Sequence, residues 1–272
     1  MNYDLKEVCK DIRCDIMTCI GHLGVGHIGG CLSVTELLAV LYFEEMNIDP
    51  KNPKMKGRDR FVCSKGHAGP AVYAALANRG YFDKKELLTL NQGGTNLPSH
   101  CDMNRTVGID MTTGSLGQGF SCAVGVALGS KLEEDGATVY ALIGDGESQE
   151  GQVWEAAMFA AAKKLSNMTW MIDWNKKQLD GYVADIIDPI DFQKKFEAFG
   201  FDACTVDGND VEQLYNALTH TNEEKPVAII LDTVKGKGVS QVEETLLNHS
   251  MNVGQDVFDA WLKELRDKQA AF

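Results

Sequence analysis

The strongest constraint on how this chain can fold is the stretch Val139 to Gly181, VYALIGDGESQEGQVWEAAMFAAAKKLSNMTWMIDWNKKQLDG. An apolar run, Val139 to Ile143, has the length and composition of a buried strand. It stops at Gly144-Asp145-Gly146, where two glycines allow a tight turn and close backbone approach. From Glu150 to Lys164 the sequence is rich in helix formers. Its acidic residues lie toward the first turns and Lys163 and Lys164 toward the last, the polarity that a helix macrodipole favours. A second apolar run, Met168 to Ile172, predicts another buried strand and delivers Asn175. Strand, helix and strand in this order make a βαβ unit, whose right-handed crossover sets the two strands parallel. Asp145 and Asn175 then lie just past the carboxyl ends of adjacent strands, where open α/β sheets bind ligands. A carboxylate, an amide oxygen and a backbone carbonyl from the loop after Asn175 suit a hard cation such as Mg²⁺, which shares its octahedron with phosphate oxygens.

The remaining sequence continues the same alternation. Leu5, Val8, Ile12, Ile16 and Ile20 stand at helical spacing and predict an amphipathic helix over residues 4 to 20, ending at Gly21. A glycine-rich loop follows to Gly30, and Ser33-Val-Thr-Glu36 reads as a capping box opening the next helix. A short strand is expected at Arg60 to Cys63, turning directly into a helix from Gly69 to Asn78. Lys84 to Leu90 reads as a short helix, Gln92 to Asp110 as an irregular loop, and the segment after Gly119 as a long helix to about Glu133. Helix Asp191 to Ala198, strand Ala203 to Val206, helix Asp210 to Thr221 and strand Val227 to Asp232 come next, and an amphipathic helix from Asp256 to Gln269 closes the pattern. The expectation is an α/β fold, a doubly wound, mainly parallel sheet with helices on both faces, forming one domain over 1–272.

A net charge of −13 argues against nucleic acid as a partner, since phosphate backbones are bound by basic surfaces. The eight cysteines contain no CxxC pair, so a structural zinc site is not expected. The N-terminus is too polar for a signal peptide and no apolar run reaches membrane-spanning length, so the expected setting is a reducing cytoplasm with no membrane partner.

Gly-Asp-Gly followed by an asparagine 30 positions after the aspartate resembles the thiamine-diphosphate signature. Four further segments, Gly26-His27, Asp59-Arg-Phe-Val-Cys-Ser-Lys-Gly-His67, Pro98-Ser-His100 and Thr112-Thr-Gly-Ser-Leu-Gly-Gln-Gly119, resemble the transketolase family in the family's own order. The resemblance implies the thiamine-diphosphate-binding fold. It implies Asp145, Asn175 and the carbonyl of Lys177 as ligands of Mg²⁺ (or Ca²⁺ or Mn²⁺). It places Gly146 and His67 near the diphosphate, the backbone of Gly114 and Leu116 against the rings of thiamine diphosphate, and His249 at both cofactor and substrate. His27, His67, His100 and His249 are the implied catalytic histidines, and Glu150 matches a carboxylate at the subunit interface. The sequence departs from the family at Ile28, where proline is usual, at Ser-His-Cys around His100, and at His249-Ser250. His22 has no counterpart and reads as a surface or capping histidine.

The activity implied is transfer of a two-carbon ketol unit from a ketose phosphate to an aldose phosphate. Full-length transketolases carry the glutamate that activates the aminopyrimidine on a second domain, beyond the part resembled here. The chain is therefore expected to be the N-terminal subunit of a split transketolase, working with a C-terminal subunit in an assembly of two copies of each. Alternatives are a subunit of another thiamine-diphosphate enzyme, such as a deoxyxylulose-phosphate synthase or a dehydrogenase E1 component, and a non-catalytic cofactor-binding protein.

Overall fold

Helix α1 (Leu5–Leu23) runs without interruption through Gly21 in the computed structural model, which describes residues 2–268. The sequence reading ended this helix at Gly21. That glycine has instead been kept small by packing, since a Cβ there would meet Phe258 at 3.0 Å, and the helix stops at Gly24 in the left-handed conformation that favours glycine. The capping box also fails. Ser33 follows a single turn of helix, Gly29–Leu32, and α2 (Thr35–Val40) starts without a side-chain cap. Glu36 is drawn into the core by a buried ion pair with Arg13, and the Ser33 hydroxyl is taken by Asp173 at 2.8 Å. Both groups that would have closed the box have stronger charged partners elsewhere.

Strand β1 (Arg60–Cys63) leads into α3 (Gly69–Arg79), and a long irregular segment precedes α4 (Gln118–Glu133). The βαβ unit follows as β2 (Val139–Gly144), α5 (Gly151–Ala162) and β3 (Met168–Trp174), each strand running slightly further than its apolar run. Then come α6 (Phe192–Ala198), β4 (Asp202–Asp207), α7 (Val211–Leu218), β5 (Val227–Asp232) and α8 (Gln255–Asp267). Asp191 and Asp210 cap α6 and α7 by accepting backbone N–H groups of the first turn. Gln269, the expected end of the last helix, lies outside the described residues.

The five strands pair in the order β1-β2-β3-β5-β4, all parallel. Alternate strand residues serve opposite faces, as the pleat requires. Tyr140, Leu142, Met171, Ile229 and Leu231 pack on the layer that holds α1, α2, α3, α7 and α8, while Val139, Ala141, Ile143, Trp170, Ile172 and Ile230 pack on α4, α5 and α6. On the second face the buried Trp170 meets Phe120, Phe196 and Phe201 edge-on, which ties α4 and α6 to the sheet. Truncating such a side chain costs about 3–5 kcal/mol. Because α3 leaves β1 toward one face and α5 leaves β2 toward the other, a crevice opens at the carboxyl ends of these two neighbours. The loops that leave β3 and β5 close its other side.

Candidate active site

The crevice holds a cavity of about 280 Å³ whose lining comes from every one of those strand ends. His67 arrives from β1, Asp145 and Gly146 from β2, Asn175 and Lys177 from β3, and Lys235 and His249 from β5. His27 enters from the loop after α1, and His100, Gly114 and Leu116 from the irregular segment before α4. All the residues expected from the sequence to touch cofactor, metal or sugar are thus brought together. Glu150 is exposed at the start of α5 and lies behind Gly117, where an added Cβ would meet Glu150 Cβ at 3.0 Å; it does not line the cavity. His22 is exposed in the last turn of α1.

Four imidazoles crowd one wall. The His27 ring lies 5.5 Å from His67, 5.5 Å from His100 and 5.3 Å from His249, and the last ring is 4.6 Å from His67. Burial, reinforced by the nearby cations, pulls His249 down to about 3 and holds His67 well below the usual histidine range. Burial also lowers His27 and His100. At neutral pH the wall is therefore a set of uncharged rings. His100 is fixed from behind, with Nδ1 at 2.8 Å from Ser99 Oγ and its carbonyl accepting the buried Tyr73 hydroxyl at 3.0 Å.

The floor is built from oxygen. Asp145 Oδ1 accepts the Gly146 N–H at 2.8 Å and Oδ2 the Lys176 N–H at 2.7 Å. The second bond exists because Lys176 adopts a left-handed backbone, φ 67°, which few residues other than glycine accept and which recurs at functional sites. Asn175 Oδ1 accepts the Lys177 N–H at 3.2 Å, and the Lys177 carbonyl faces Lys235 Nζ at 2.7 Å. Burial and the neighbouring Asp173 push Asp145 up to about 7, so its carboxylate lacks compensating positive charge. An acidic group short of charge, an amide oxygen and a carbonyl form a hard, all-oxygen donor set that fits Mg²⁺ or Ca²⁺ once phosphate oxygens complete the shell. Among the described residues no three His, Cys, Asp or Glu side chains are grouped as a metal site.

Two acids at this site, Asp173 and Glu147, were not singled out by motif. Asp173, fully buried at the end of β3, pairs with the equally buried Lys65 at 2.6 Å, and Lys65 also reaches the Gly30 carbonyl at 2.9 Å. Glu147, one turn beyond Asp145, accepts the Ser64 hydroxyl and the N–H groups of Gly117 and Gly144. Lys235 stands over the Lys177 carbonyl, lowered to about 8 by its burial. The signal available for the first two was a lone acid: Asp173 interrupts an apolar run, and Glu147 sits in an otherwise small, neutral turn.

Residues 5–269 match the family described as the transketolase thiamine diphosphate binding domain. A 6-deoxy-6-sulfo-D-fructose transketolase subunit, SqwG, from Clostridium sp. (strain MSTE9) is 49% identical over 269 residues, 98% of each chain. One subunit of the apulose-4-phosphate transketolase from Actinobacillus succinogenes is 38% identical over 274 residues, again 98% of each. Among solved structures, the transketolase of Campylobacter jejuni superposes with a TM-score of 0.89 at 30% identity, and this chain covers 44% of it. The chain belongs to the transketolase family, in which it stands as a thiamine-diphosphate-binding subunit of the split kind.

Proposed function

We propose that this chain, as a single domain, is the diphosphate-side half of a magnesium-dependent transketolase in the cytoplasm. It moves a two-carbon ketol unit from a ketose to an aldose together with a C-terminal subunit, in an assembly of two copies of each. The observation that carries this reading is the convergence of Asp145, Asn175 and Lys177 with four uncharged imidazoles around one cavity. Thiamine diphosphate, when bound, supplies the electron sink for breaking and remaking a carbon–carbon bond.

The work left to this chain is to hold, orient and exchange protons. Asp145, Asn175 and the Lys177 carbonyl hold the cation that neutralises the diphosphate, and the backbone at Gly114, Leu116 and Gly146 lets flat and anionic groups approach closely. His67 and His249, side by side, would serve the diphosphate end and the sugar. His27 and His100 stand where a sugar hydroxyl would be, and their uncharged rings accept its proton as the bond breaks. Glu150 serves the interface between protomers.

The substrates are sugars with a terminal anion. The relative named for 6-deoxy-6-sulfo-D-fructose favours a sulfonated donor as a second reading beside a ketose phosphate. Both are tested by co-expressing the chain with the product of its genomic neighbour and assaying two-carbon transfer to an aldose phosphate from fructose 6-phosphate and from 6-deoxy-6-sulfofructose. A complex inactive on both donors would overturn the transketolase assignment of the complex, and the preferred donor decides between the two substrate readings.

A further inference from the structure

Asp173 is fully buried and lies just outside the cavity lining, yet its carboxylate takes four hydrogen bonds. Ser33 Oγ (2.8 Å), Lys65 Nζ (2.6 Å) and Asn175 Nδ2 (2.6 Å) donate to Oδ2, and Thr233 Oγ1 (2.5 Å) donates to Oδ1. The Lys65 ammonium at 2.6 Å and the two hydroxyl donors make Asp173 an ion-paired acceptor. An ionised carboxylate only accepts.

The amide of Asn175 is consequently defined at both ends. Its nitrogen faces an acceptor-only carboxylate, and its oxygen faces the Lys177 backbone N–H at 3.2 Å, a donor only. Turning the amide over would set N–H against N–H and oxygen against carboxylate in a buried place, where unmatched polar groups are costly. We propose that Asp173 is a positioning residue that, through its hydrogen bond to Asn175 Nδ2, keeps the amide oxygen and not the nitrogen on the cavity side, ready for a hard divalent cation. This role presupposes the cation site at Asp145 proposed above.

The experiment uses the complex of the full chain with its partner subunit, loaded with thiamine diphosphate and titrated with Mn²⁺, free Mn²⁺ being read from its EPR signal. Two double variants remove the buried ion pair without leaving a lone charge: Asp173→Leu/Lys65→Met, which has no acceptor for Asn175, and Asp173→Asn/Lys65→Met, which keeps one. Supporting outer residues of metal sites are worth about 10–100-fold in affinity, so the leucine variant is expected to bind Mn²⁺ that much more weakly and the asparagine variant within about threefold of wild type. Equal Mn²⁺ affinity of the two double variants would overturn the role. A wild-type complex that takes up no Mn²⁺ removes the cation site, and the role with it. Should the leucine variant not fold, the ¹⁵N-asparagine-labelled wild-type chain decides without it. The Asn175 side-chain NH₂ signal, assigned by its loss in Asn175→Gln, is expected to resist exchange in D₂O, and exchange as fast as a surface asparagine overturns the proposal.

Discussion

The carboxylate of Glu147 accepts the backbone N–H of Gly117 at 2.8 Å, which joins the turn after β2 to the glycine-rich entry of α4. The same carboxylate takes the Ser64 hydroxyl at 2.5 Å and the Gly144 N–H at 3.1 Å. One buried acid therefore holds three separate motif loops in register. It does so from the cavity wall, with each of those bonds accepted by its carboxylate.

Glu147→Ala is expected to leave three buried donors without partners. Each orphaned group costs about 1–3 kcal/mol, and since neighbouring effects do not add fully, a loss of about 3 kcal/mol is expected in urea unfolding. Thiamine diphosphate affinity should fall with it, because Gly117 follows Leu116 directly. Wild-type stability in this variant would show that the three loops are held by other means.

Asp145 gives a test with a definite sign. Its folded-state value is raised to about 7 from an ordinary 3.8, chiefly by burial. Its favourable contribution to the cation-free fold is thus present below 3.8 and is lost as pH rises through about 7. In cation-free protein Asp145→Asn should melt close to wild type near pH 4 and progressively above it up to about pH 7, beyond which the difference holds steady. The same variant should lose cofactor-dependent activity at every pH. A melting difference that fails to grow between about pH 4 and pH 7 would contradict the buried, undercompensated carboxylate.

The histidines carry the opposite sign. The folded values of His67 and His249 are depressed below 6.5, so the stability gained from keeping them uncharged is present above that pH and is lost as pH falls below it. Each contributes a slope of up to about 1.4 kcal/mol per pH unit, with smaller shares from the half-exposed His27 and His100. His249→Gln should flatten the decline of stability between pH 6.5 and 5. An unchanged slope would mean that the ring is already solvated and free to charge.

The histidines also divide by function. His27→Ala and His100→Ala are expected to depress turnover far more than cofactor affinity, by about 10²–10⁴-fold if the rings exchange protons. His67→Ala should damage both, since Lys65 and the cation floor are its neighbours. Steady-state kinetics beside calorimetric titration of thiamine diphosphate separate the two effects, and full ketol transfer in the His27 and His100 variants would remove their assigned role.

What could be read from the sequence followed from how local each signal is. The βαβ unit was legible because two apolar runs and a helix lie within one stretch, and Asp145 and Asn175 sit at its two strand ends. Asp173 and Glu147 were not, because their meaning comes from partners far along the chain: Ser33 is 140 residues from Asp173, and Gly117 is 30 from Glu147. The capping box at Ser33 failed for the same reason. Ser33 and Glu36 have the right spacing for a local bond, but Asp173 and Arg13, brought close only by the folded sheet and α1, bind them more strongly. Gly21 is the converse case: a residue that usually ends a helix is kept inside one because Phe258 packs against it.

The last expectation concerns assembly. Leu116 and Leu179 belong to the cavity wall, yet they are 38% and 59% exposed, and Leu247, two residues before His249, is 59% exposed. Apolar groups at the mouth of a polar cavity lose favourable burial unless something covers them. The wall they belong to supplies the cation ligands and the imidazoles, and the Lys65 and Glu147 charges beside the turn at Gly114 and Leu116 are already satisfied within the fold. A partner that seats an acidic group against that turn would cover the leucines and complete the site together. The chain alone is accordingly expected to show no ketol transfer, and to gain it on mixing with the C-terminal subunit. Leu179→Lys should weaken that pairing, measured by mass in solution, while leaving the melting temperature of the isolated chain within about 2 °C, as for other exposed substitutions. Robust turnover by the isolated chain would overturn the two-subunit reading, and undiminished pairing of the Leu179 variant would place the partner on another face.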